Sequence, residues 1–531
     1  MDLIVEDAVV VTMAAGGTAG GMLVRDGRIA AVGTPEEVRA AAAPGAAVVR
    51  LDGATVVPGL IDAHCHVADV GYLATAADCS QPSAPDIPAI QARLAEVAGR
   101  TPAGSWVTGA GYVEYKLREG RHPTRAELDQ AVPGRPAVVY HTSLHAAVLN
   151  TAALAEAGFA DSQPDPPDGA FGRDAEGRLD GVVFERPMFA LFERNLREDI
   201  TRMGAAAGAG LISAASQRLA AFGVTAACDA DMRSDTYAAY AEADAAGLLG
   251  MRIRGLVVHD HADRVPAGRH SDRLATGAVK IWADGGMSSR TAAISGTYPV
   301  PPYGSGILYF SPAALTEMVR DFDSRGLQVC IHAQGDRAIE IVLDAYAAVL
   351  AGGAGNPLRH RIEHGGAMYP PLAARAADLG IVIVSQPGFM STLGDGFAGA
   401  FGDRSDDLYA FASWQRAGLV VAGSSDAPVI TADPRLGLRD AVLRRTGSGR
   451  VLGPGERLPA RSALAMYTTQ AAFASHRERE TGSLEAGKLA DFVVLQENPL
   501  LAEPERIADI PVLATVLGGT PVYQATQLWP S

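Results

Sequence analysis

The sequence of 531 residues predicts an α/β protein whose main body is a β/α barrel and whose two ends form a small β unit. Three observations lead to this prediction. Short apolar runs rich in β-branched residues recur along the chain, Ala-rich segments with helical periodicity separate them, and both ends carry short strand patterns. Because strands that alternate with helices are typical of a parallel sheet with crossover helices, we expect one barrel and one terminal sheet domain.

The terminal β unit is predicted from residues 1–55 and 479–531. The first segment contains LIVEDAVVVT and GMLVRDGRIAAVG, and the second contains GSLEAGKLADFVVL and PVLATVLGGTPVYQ. In both segments, short apolar runs alternate with Gly and Asp turns, which is typical of hairpins. We therefore expect the two ends of the chain to pair in one sheet domain.

Nine segments have the pattern of barrel strands, and we assign the barrel to residues 56–478. They are TVVPGLIDAHCH, AVVYHTS, GVTAACDAD, RIRGLVVHD, AVKIWADGG, LQVCIHAQG, RHRIEHGG, GIVIVSQP and LVVAGSSDAP. A barrel of this kind needs eight strands, so one segment belongs to an insertion. Loop signals such as QPSAPDIP and DSQPDPPDG are concentrated between about residues 70 and 220, and we place the insertion there, over the barrel mouth.

Composition limits the classes of partner. With 60 acidic and 45 basic side chains, the formal charge of −15 repels phosphate backbones, so we expect no nucleic-acid partner. No apolar run reaches membrane-spanning length and the chain begins MDLIVE, without a positive leader region, so we expect a cytoplasmic protein with no membrane partner. The scattered cysteines are expected to be reduced thiols: Cys65, Cys79, Cys228 and Cys330.

His64 and His66 form the strongest local signal, because the apolar strand PGLIDAHCH ends in His-x-His. Residues two apart in a strand point to the same side, so both imidazoles can reach one metal ion. Cys65 between them faces the other way, and we assign it no role. The same spacing also occurs by chance, so the motif needs support from the rest of the chain.

Metal-capable side chains also lie towards the ends of four other candidate strands. They are Lys280 in VKIWADGG, His332 in VCIHAQGD, His364 in HRIEHGG and Asp426 in GSSDAPV. The carboxyl ends of barrel strands converge on one mouth, where such folds place their active sites. A single histidine is more often structural, but five strands that share the pattern favour a metal site.

Other polar residues near the mouth are candidates for substrate binding. The set comprises His145 in the insertion and Trp282, Asp284, Arg290 and Gln386 in or just beyond strand ends. Asp336 and Glu363 have similar positions, and some members of the group would instead orient the ligating histidines.

Aromatic residues would suit an apolar or aromatic part of the substrate: Tyr112, Tyr115, Trp282, Tyr303 and Phe389. The role of His141 stays open. We expect the remaining histidines to be structural or solvent-facing: His122, His259, His261, His270, His360 and His476.

Taken together, the motifs resemble the amidohydrolase superfamily and, within it, the amidohydrolase-3, YtcJ-like branch. The motifs that carry the resemblance are PGLIDAHCHV, VKIWADGG followed by SRTA, IHAQGDRA, HRIEH, GSSDAPV and GSLEAGKLADFVVL. They keep their order from the first strands to the terminal sheet, so the resemblance covers most of the chain. It implies a distorted (β/α)8 TIM barrel with a small β-sandwich domain formed by both termini.

The resemblance also implies ligand roles. The four histidines would divide between two ions, His64 and His66 at the first and His332 and His364 at the second. Lys280 would bridge the ions if it is carboxylated, Asp426 would be both ligand and general base, and zinc would be the default metal. Such an ion lowers the pKa of bound water towards ~7, and Asp426 would take the proton and return it to the leaving amine.

Lys280 has an alternative reading. An unmodified ammonium would repel the cations that it is meant to bridge, whereas carboxylation by CO2 would reverse its charge. In the alternative, Lys280 pairs with Asp284 or another carboxylate and the site holds one ion. Glu185, in the run GVVFE, is an alternative acidic contributor. The sequence leaves these alternatives open.

The leading functional hypothesis is hydrolysis of a small, linear, non-peptide amide. Members of the branch that this chain resembles hydrolyse N-substituted formamides and other amides. A cyclic-amide hydrolase and a heterocycle deaminase are the enzyme alternatives. A non-catalytic metal-binding regulatory protein is the alternative of another class, which the complete ligand set with Asp426 disfavours. The sequence does not decide the oligomeric state, although a homodimer is the commonest arrangement of soluble oligomers.

Overall fold

A sheet shared by both chain ends is the first unit of the fold. The structure is a computed structural model that describes residues 2–299, 304–353 and 355–529, apart from the side chains of residues 197–203. The N-terminal strands of this sheet are β1 (Asp2–Val11), β2 (Thr18–Arg25), β3 (Arg28–Gly33), β4 (Ala47–Arg50) and β5 (Thr55–Pro58), with helix α1 (Pro35–Ala41) beside them. Strand β1 pairs antiparallel with β2 and parallel with β4 and β5.

Gly59 marks the point where the chain leaves the terminal sheet and enters the barrel. The pattern TVVPGLIDAHCH predicted one continuous strand, but the structure divides it into β5 and the first barrel strand, β6 (Leu60–Cys65). A Cβ atom at Gly59 would lie only 2.1 Å from Oγ1 of Thr225 on the neighbouring barrel strand. A side chain at this junction would therefore clash with the neighbouring barrel strand, which favours glycine there.

An insertion follows β6 and carries a second sheet of six strands in the order β11-β12-β10-β9-β8-β7. The strands are β7 (Ala77–Asp78), β8 (Val107–Tyr112), β9 (Ala137–His141), β10 (Ala146–Leu149), β11 (Gly169–Arg173) and β12 (Leu179–Glu185). The helices are α2 (Val67–Leu73), α3 (Ile87–Arg100), α4 (Arg125–Ala131), α5 (Thr151–Ala157), α6 (Arg186–Met203) and α7 (Ala205–Ala220). Strand β9 is the segment AVVYHTS, so the surplus candidate among the nine predicted barrel strands belongs to this insertion.

The barrel consists of β6 and seven later strands, all parallel to their neighbours. These strands are β13 (Val224–Met232), β14 (Arg252–Val258), β15 (Leu274–Trp282), β16 (Gln328–Ala333), β17 (Arg361–His364), β18 (Val382–Ser385) and β19 (Val421–Gly423). Strands β16 to β19 are buried along their whole length, as expected where a parallel sheet is covered on both faces.

Helices alternate with the barrel strands and continue after the last of them. They are α8 (Ser234–Ala245), α9 (Pro312–Ser324), α10 (Asp336–Leu350), α11 (Pro370–Asp378), α12 (Phe389–Phe401), α13 (Phe411–Arg416), α14 (Pro434–Leu443), α15 (Ala460–Met466) and α16 (Thr469–Ala474). The barrel is nearly closed between its end strands. Backbone hydrogen bonds join the segment after β19 to β6, from Asp426 N to His64 O (2.9 Å) and from His66 N to Ala427 O (2.8 Å).

Three C-terminal strands complete the terminal sheet: β20 (Phe492–Leu495), β21 (Val512–Leu517) and β22 (Thr520–Gln524). Strand β20 pairs antiparallel with β5, which gives a sheet of eight strands drawn from both ends. The predicted α/β fold, with a barrel and a small terminal sheet domain, is confirmed. Within the described residues, no helix is both long enough and apolar enough to cross a membrane.

Candidate metal centre

All six metal-capable side chains predicted from strand ends line one cavity of about 290 Å³. They are His64, His66, Lys280, His332, His364 and Asp426. Each lies in the second half of a barrel strand or within three residues after its end. The side chains therefore converge at the carboxyl ends of the strands, the end of the barrel at which such folds bind and convert their substrates.

Three of these residues form a compact, buried group of donors. One ligand atom each of His64, His364 and Asp426 can be chosen so that all three lie within 4.8 Å of one another. Asp426 Oδ1 lies 3.3 Å from His64 Nε2 and 3.1 Å from His66 Nε2. Imidazole nitrogens and a carboxylate are donors that zinc accepts in tetrahedral sites, so the residues present fit a divalent ion.

Hydrogen bonds fix which nitrogen faces the site in three of the four candidate histidines. His64 donates from Nδ1 to Oε2 of Glu363 (2.5 Å), and His364 donates from Nδ1 to Oε1 of Gln386 (2.9 Å). His332 donates from Nε2 to the carbonyl oxygen of Gly285 (3.2 Å). In each ring the other nitrogen keeps its lone pair for a metal ion, which is the usual arrangement of ligating histidines.

Glu363 connects His64 to a buried guanidinium. Arg361 donates to the two carboxylate oxygens of Glu363 at 2.6 and 2.8 Å, and all three residues are buried. Burial by itself raises the pKa of Glu363, but Arg361 and His64 outweigh this effect and hold the pKa well below its ordinary value. Glu363 is therefore a carboxylate that orients His64 rather than a group that faces substrate.

Replacing Glu363 with Gln should weaken zinc binding by about 10- to 100-fold, because His64 loses the carboxylate that fixes its tautomer and orientation. Competition with a chromophoric chelator would measure the zinc affinity. Glu340→Gln, on the exposed face of α10, is the matched control and should bind zinc like the unaltered protein. Equal zinc affinities in the two variants would contradict the orienting role of Glu363.

Lys280 is completely buried, and its Nζ lies 3.2 Å from His64 Nε2 and 4.9 Å from the centre of the Trp282 ring. Burial lowers the pKa of Lys280, although the negative charges of Glu363 and Asp426 oppose this shift. A lowered pKa favours the neutral amine, which is the form that reacts with CO2. The environment therefore suits a carboxylated lysine.

The carboxylate of Asp284 binds backbone N–H groups and not Lys280. Its carboxylate accepts hydrogen bonds from the backbone N–H groups of Ala293 (2.9 Å), Gln334 (3.0 Å) and Gly335 (2.9 Å). This carboxylate thus holds together the loops that follow β15 and β16, and the alternative in which Lys280 pairs with Asp284 is not formed among the described ion pairs.

The five predicted substrate-binding residues separate into two groups. His145 and Trp282 line the cavity. The described residues that line it do not include Asp284, Arg290 or Gln386. Gln386 is buried, and its Oε1 accepts from Nδ1 of His364 while its Nε2 donates to Oγ of Ser424, both at 2.9 Å. We therefore assign Gln386 to positioning His364. Substrate contact remains a prediction for His145 and Trp282 alone.

Two cavity carboxylates were missed by the sequence reading. Asp69 and Asp231 form a second donor group with His66, again with ligand atoms within 4.8 Å of one another. Burial raises the pKa of Asp69 to about 8, and His66 opposes this shift. Asp69 follows His66 by one helical turn and Asp231 lies near the carboxyl end of β13, so the strand-end rule could have found Asp231. His259, expected to be structural or solvent-facing, also lines the cavity.

Backbone conformation marks two of the candidate ligands. His364 has φ +72° and Asp426 has φ +58°, values in the left-handed region that non-glycine residues rarely adopt. Each such residue costs about 1–3 kcal/mol, a cost that proteins tolerate mainly at functional sites. His364 is the last residue of its strand and Asp426 lies three residues beyond the end of its strand, so this conformation occurs where the chain turns out of the barrel wall.

The outer part of the cavity has an aromatic wall and a charged rim. The aromatic wall consists of Phe189, Phe192, Trp282, Tyr309 and Phe310, and the charged rim includes Asp168, Arg186, Glu193, Arg233 and Asp260. Phe189, Phe192 and Arg186 belong to helix α6 of the insertion, so the insertion covers the barrel mouth. Of the other aromatic candidates, Tyr112, Tyr115 and Phe389 are not among the described lining residues, and Tyr303 lies outside the described residues.

Comparisons with known proteins agree with this site. Residues 47–523 match the amidohydrolase family, and residues 20–43 match the bacterial imidazolonepropionase-like composite domain. The chain is 34% identical over 519 residues to N-substituted formamide deformylase of Arthrobacter pascens, with 95% of each chain covered. It is 28% identical to the putative amidohydrolase YtcJ of Bacillus subtilis (strain 168), with 94% of this chain and 95% of the other covered.

Among solved structures, an uncharacterized metal-dependent hydrolase from Pyrococcus horikoshii OT3 has a similar fold. Its TM-score is 0.77 at 24% sequence identity, and the alignment covers 95% of this chain and 99% of the other. The likeness extends over the barrel, the insertion and the terminal sheet.

Proposed function

Because the chain belongs to the amidohydrolase family, we propose that it hydrolyses a linear, non-peptide amide and that its substrate class is the N-substituted formamides. The family match makes the chain a metal-dependent hydrolase of carbon–nitrogen bonds other than peptide bonds. One observation supports the proposal most strongly. All six side chains needed for such chemistry line a single cavity, with the Asp426 carboxylate in contact with two histidine ligands.

The proposed cofactor is zinc, one or two ions per chain. His64 and His66 would hold one ion and His332 and His364 the other, with a carboxylated Lys280 between them. When bound, zinc lowers the pKa of a coordinated water towards ~7 and so supplies hydroxide at neutral pH. The convergence of all six donors on one cavity and the lowered pKa of the buried Lys280 support this arrangement.

Asp426 is the proposed general base. Burial by itself raises the pKa of Asp426, but its contacts with His64 and His66 outweigh this effect and hold the pKa well below its ordinary value. The carboxylate is therefore ionised and can accept the proton of the attacking water. Its position is fixed by contacts at 3.1 and 3.3 Å, so the proton acceptor is oriented before substrate arrives.

The cavity walls support a substrate with a small acyl group and a larger substituent on nitrogen. The acyl carbon would lie against the buried histidines His64, His332 and His364. The nitrogen substituent would extend along the aromatic wall towards the charged rim. Phe189, Trp282 and Phe310 offer the apolar surface that an alkyl or aryl substituent needs. A formyl group, the smallest acyl group, suits this division best.

Metal content and product analysis test the proposal together. The purified protein would be analysed for metal per chain and incubated with N-alkyl and N-aryl formamides and the matching acetamides. We expect about two zinc ions per chain, formate and amine in equal amounts, and faster turnover of formamides than of acetamides. Chelator-treated protein is the control, and added zinc should restore its activity.

Other outcomes of this experiment would change the assignment. One ion per chain with full activity would remove the bridging role of Lys280. A ring-opened ureido acid from a cyclic amide would indicate a cyclic-amide hydrolase, and ammonia from a heterocycle would indicate a deaminase. No product from any of these compounds after zinc addition would contradict amide hydrolysis and favour a metal-binding regulatory protein.

A further inference from the structure

We propose that His145 donates the proton that the leaving nitrogen takes up, so that Asp426 and His145 each carry out one of the two proton transfers. The inference rests on the proposed amide hydrolysis and assigns the second half of it to a residue of the insertion. The family resemblance by itself implies that Asp426 carries out both transfers.

His145 lies between β9 and β10, is buried, and lines the cavity. Its Nδ1–H donates to Oε2 of Glu185 at 2.8 Å. Because Nδ1 is engaged, Nε2 is the nitrogen that can exchange a proton with a bound molecule. A carboxylate that holds one imidazole nitrogen while the other reacts is the arrangement found in acid–base histidines of many enzymes.

Glu185 is itself held in place by several contacts. The Tyr309 hydroxyl donates to the same Oε2 atom, and the backbone N–H of Glu185 donates to the carbonyl oxygen of His145 at 2.9 Å. Glu185 is completely buried and has φ +58°, a strained value for a residue of this size. Its Oε1 atom has no hydrogen-bond partner among the described residues. One oxygen of this buried carboxyl group thus holds His145 in place, and the other, unpartnered among the described residues, lies beside Gly285.

Two glycines of the barrel make room for this pair. A Cβ atom at Gly285 would lie 2.8 Å from Oε1 of Glu185, and one at Gly286 would lie 3.0 Å from Cδ2 of His145. Both glycines belong to the motif VKIWADGG, whose lysine is a candidate metal ligand. The loop after β15 thus packs directly against the His145–Glu185 pair, which explains why the motif ends in two residues without side chains.

The pair and the proposed general base lie against different strands of the barrel. The ring centre of His145 lies 5.5 Å from that of His332, which is on β16. Asp426 follows β19 and contacts His66 after β6, and in the strand order of the barrel β16 is four strands away from β6. An amide held in this cavity would then meet both a proton acceptor and a proton donor.

The step balances as follows. The water oxygen bonds to the carbonyl carbon, and its proton goes to Asp426. The carbon–nitrogen bond then breaks, its electron pair stays on nitrogen, and nitrogen takes a proton from Nε2 of His145. A carboxylic acid and a free amine leave. Asp426 releases its proton to solvent and His145 regains one, so the net reaction consumes one water.

The test is a leaving-group series measured with His145→Gln. N-aryl formamides with para substituents lower the pKa of the leaving amine stepwise, and N-alkyl formamides have the poorest leaving groups. We expect kcat for N-alkyl formamides to fall by about 10²- to 10⁴-fold, and kcat for the para-nitro compound to fall much less. Metal content, thermal unfolding and KM should stay near the values of the unaltered protein.

Two further variants complete the design. Glu185→Gln, in a positioning residue, should show the same dependence on the leaving group with a smaller loss, even if the His145 variant folds poorly. His122→Gln is the matched control, since His122 is a partly buried histidine of the same insertion whose Nδ1 accepts from the Tyr112 hydroxyl at 2.8 Å, away from the lining residues. It should leave the leaving-group dependence unchanged.

A loss of equal size for every leaving group would overturn the proposal, because a proton donor matters most when the leaving group is poor. Reduced metal content in His145→Gln would overturn it as well and make His145 a ligand. Failure of the proposed function is distinguished by the unaltered protein, which would then hydrolyse no member of the series, and this inference would fall with it.

Discussion

Replacing Asp426 with Asn is expected to lower kcat by about 10³- to 10⁴-fold while the bound metal stays close to its original amount. The carboxamide nearly matches the carboxylate in size but cannot accept the proton of the attacking water. Most donors remain, because His64 and His364 keep the hydrogen bonds that orient their rings. Steady-state kinetics on the best amide of the panel and metal analysis on the same sample would measure both effects.

Asp403→Asn, at an exposed position between α12 and α13, is the matched control for this variant. It carries the same change of side chain and charge but lies away from the cavity, so its kcat and metal content should not change. Full activity of Asp426→Asn would refute the assigned base. Loss of both metal and activity would mean that Asp426 acts mainly as a ligand.

The second large effect is expected from replacing His64 and His66 together with Ala. Metal content should fall by at least one ion per chain and turnover should be lost, because both Nε2 atoms that lie near Asp426 are removed. The change also removes the hydrogen bond from His64 to Glu363, whose carboxylate keeps Arg361 as a partner, and a lost hydrogen bond costs about 0.5–1.5 kcal/mol of folding stability. Metal analysis and thermal unfolding would separate the two consequences.

The control for the double variant is His270→Ala with His476→Ala, which removes two imidazoles at exposed positions. Its metal content and unfolding temperature should match those of the unaltered protein. An unchanged metal stoichiometry in the variant of His64 and His66 would contradict the assignment of the His-x-His motif. Recovery of activity at high zinc concentration would show instead that the motif raises affinity without being required.

Local sequence patterns predicted the positions of the six candidate ligands well. The side-chain period of two in a strand places His64 and His66 on one side, and the parallel arrangement places the ends of β15, β16, β17 and β19 at the same mouth. The side-chain period acts over a few residues, and the parallel strand order repeats regularly around the whole barrel. For this reason the six side chains could be assigned to one cavity before any contact between them was known.

The same patterns could not predict which neighbour each polar side chain meets. Asp284 and Gln386 lie near strand ends like the ligands do, yet one binds backbone N–H groups and the other binds His364. The hydrogen-bond partner of each side chain depends on packing differences of about an ångström. A rule based on positions at strand ends contains no such distances. The apolar strand pattern also placed AVVYHTS among the nine barrel candidates, because an insertion strand and a barrel strand have the same apolar pattern.

The sequence by itself determined the fold class, the family and the side chains that face the mouth, because these follow from periodicity and from motifs read along the chain. Only the tertiary structure decided that His145 meets Glu185, 40 residues further on, through the antiparallel pairing of β10 with β12. It also decided that Lys280 lies buried beside His64 and apart from Asp284. Such pairings arise from long-range register and burial, which are properties of the packed chain and not of any segment of it.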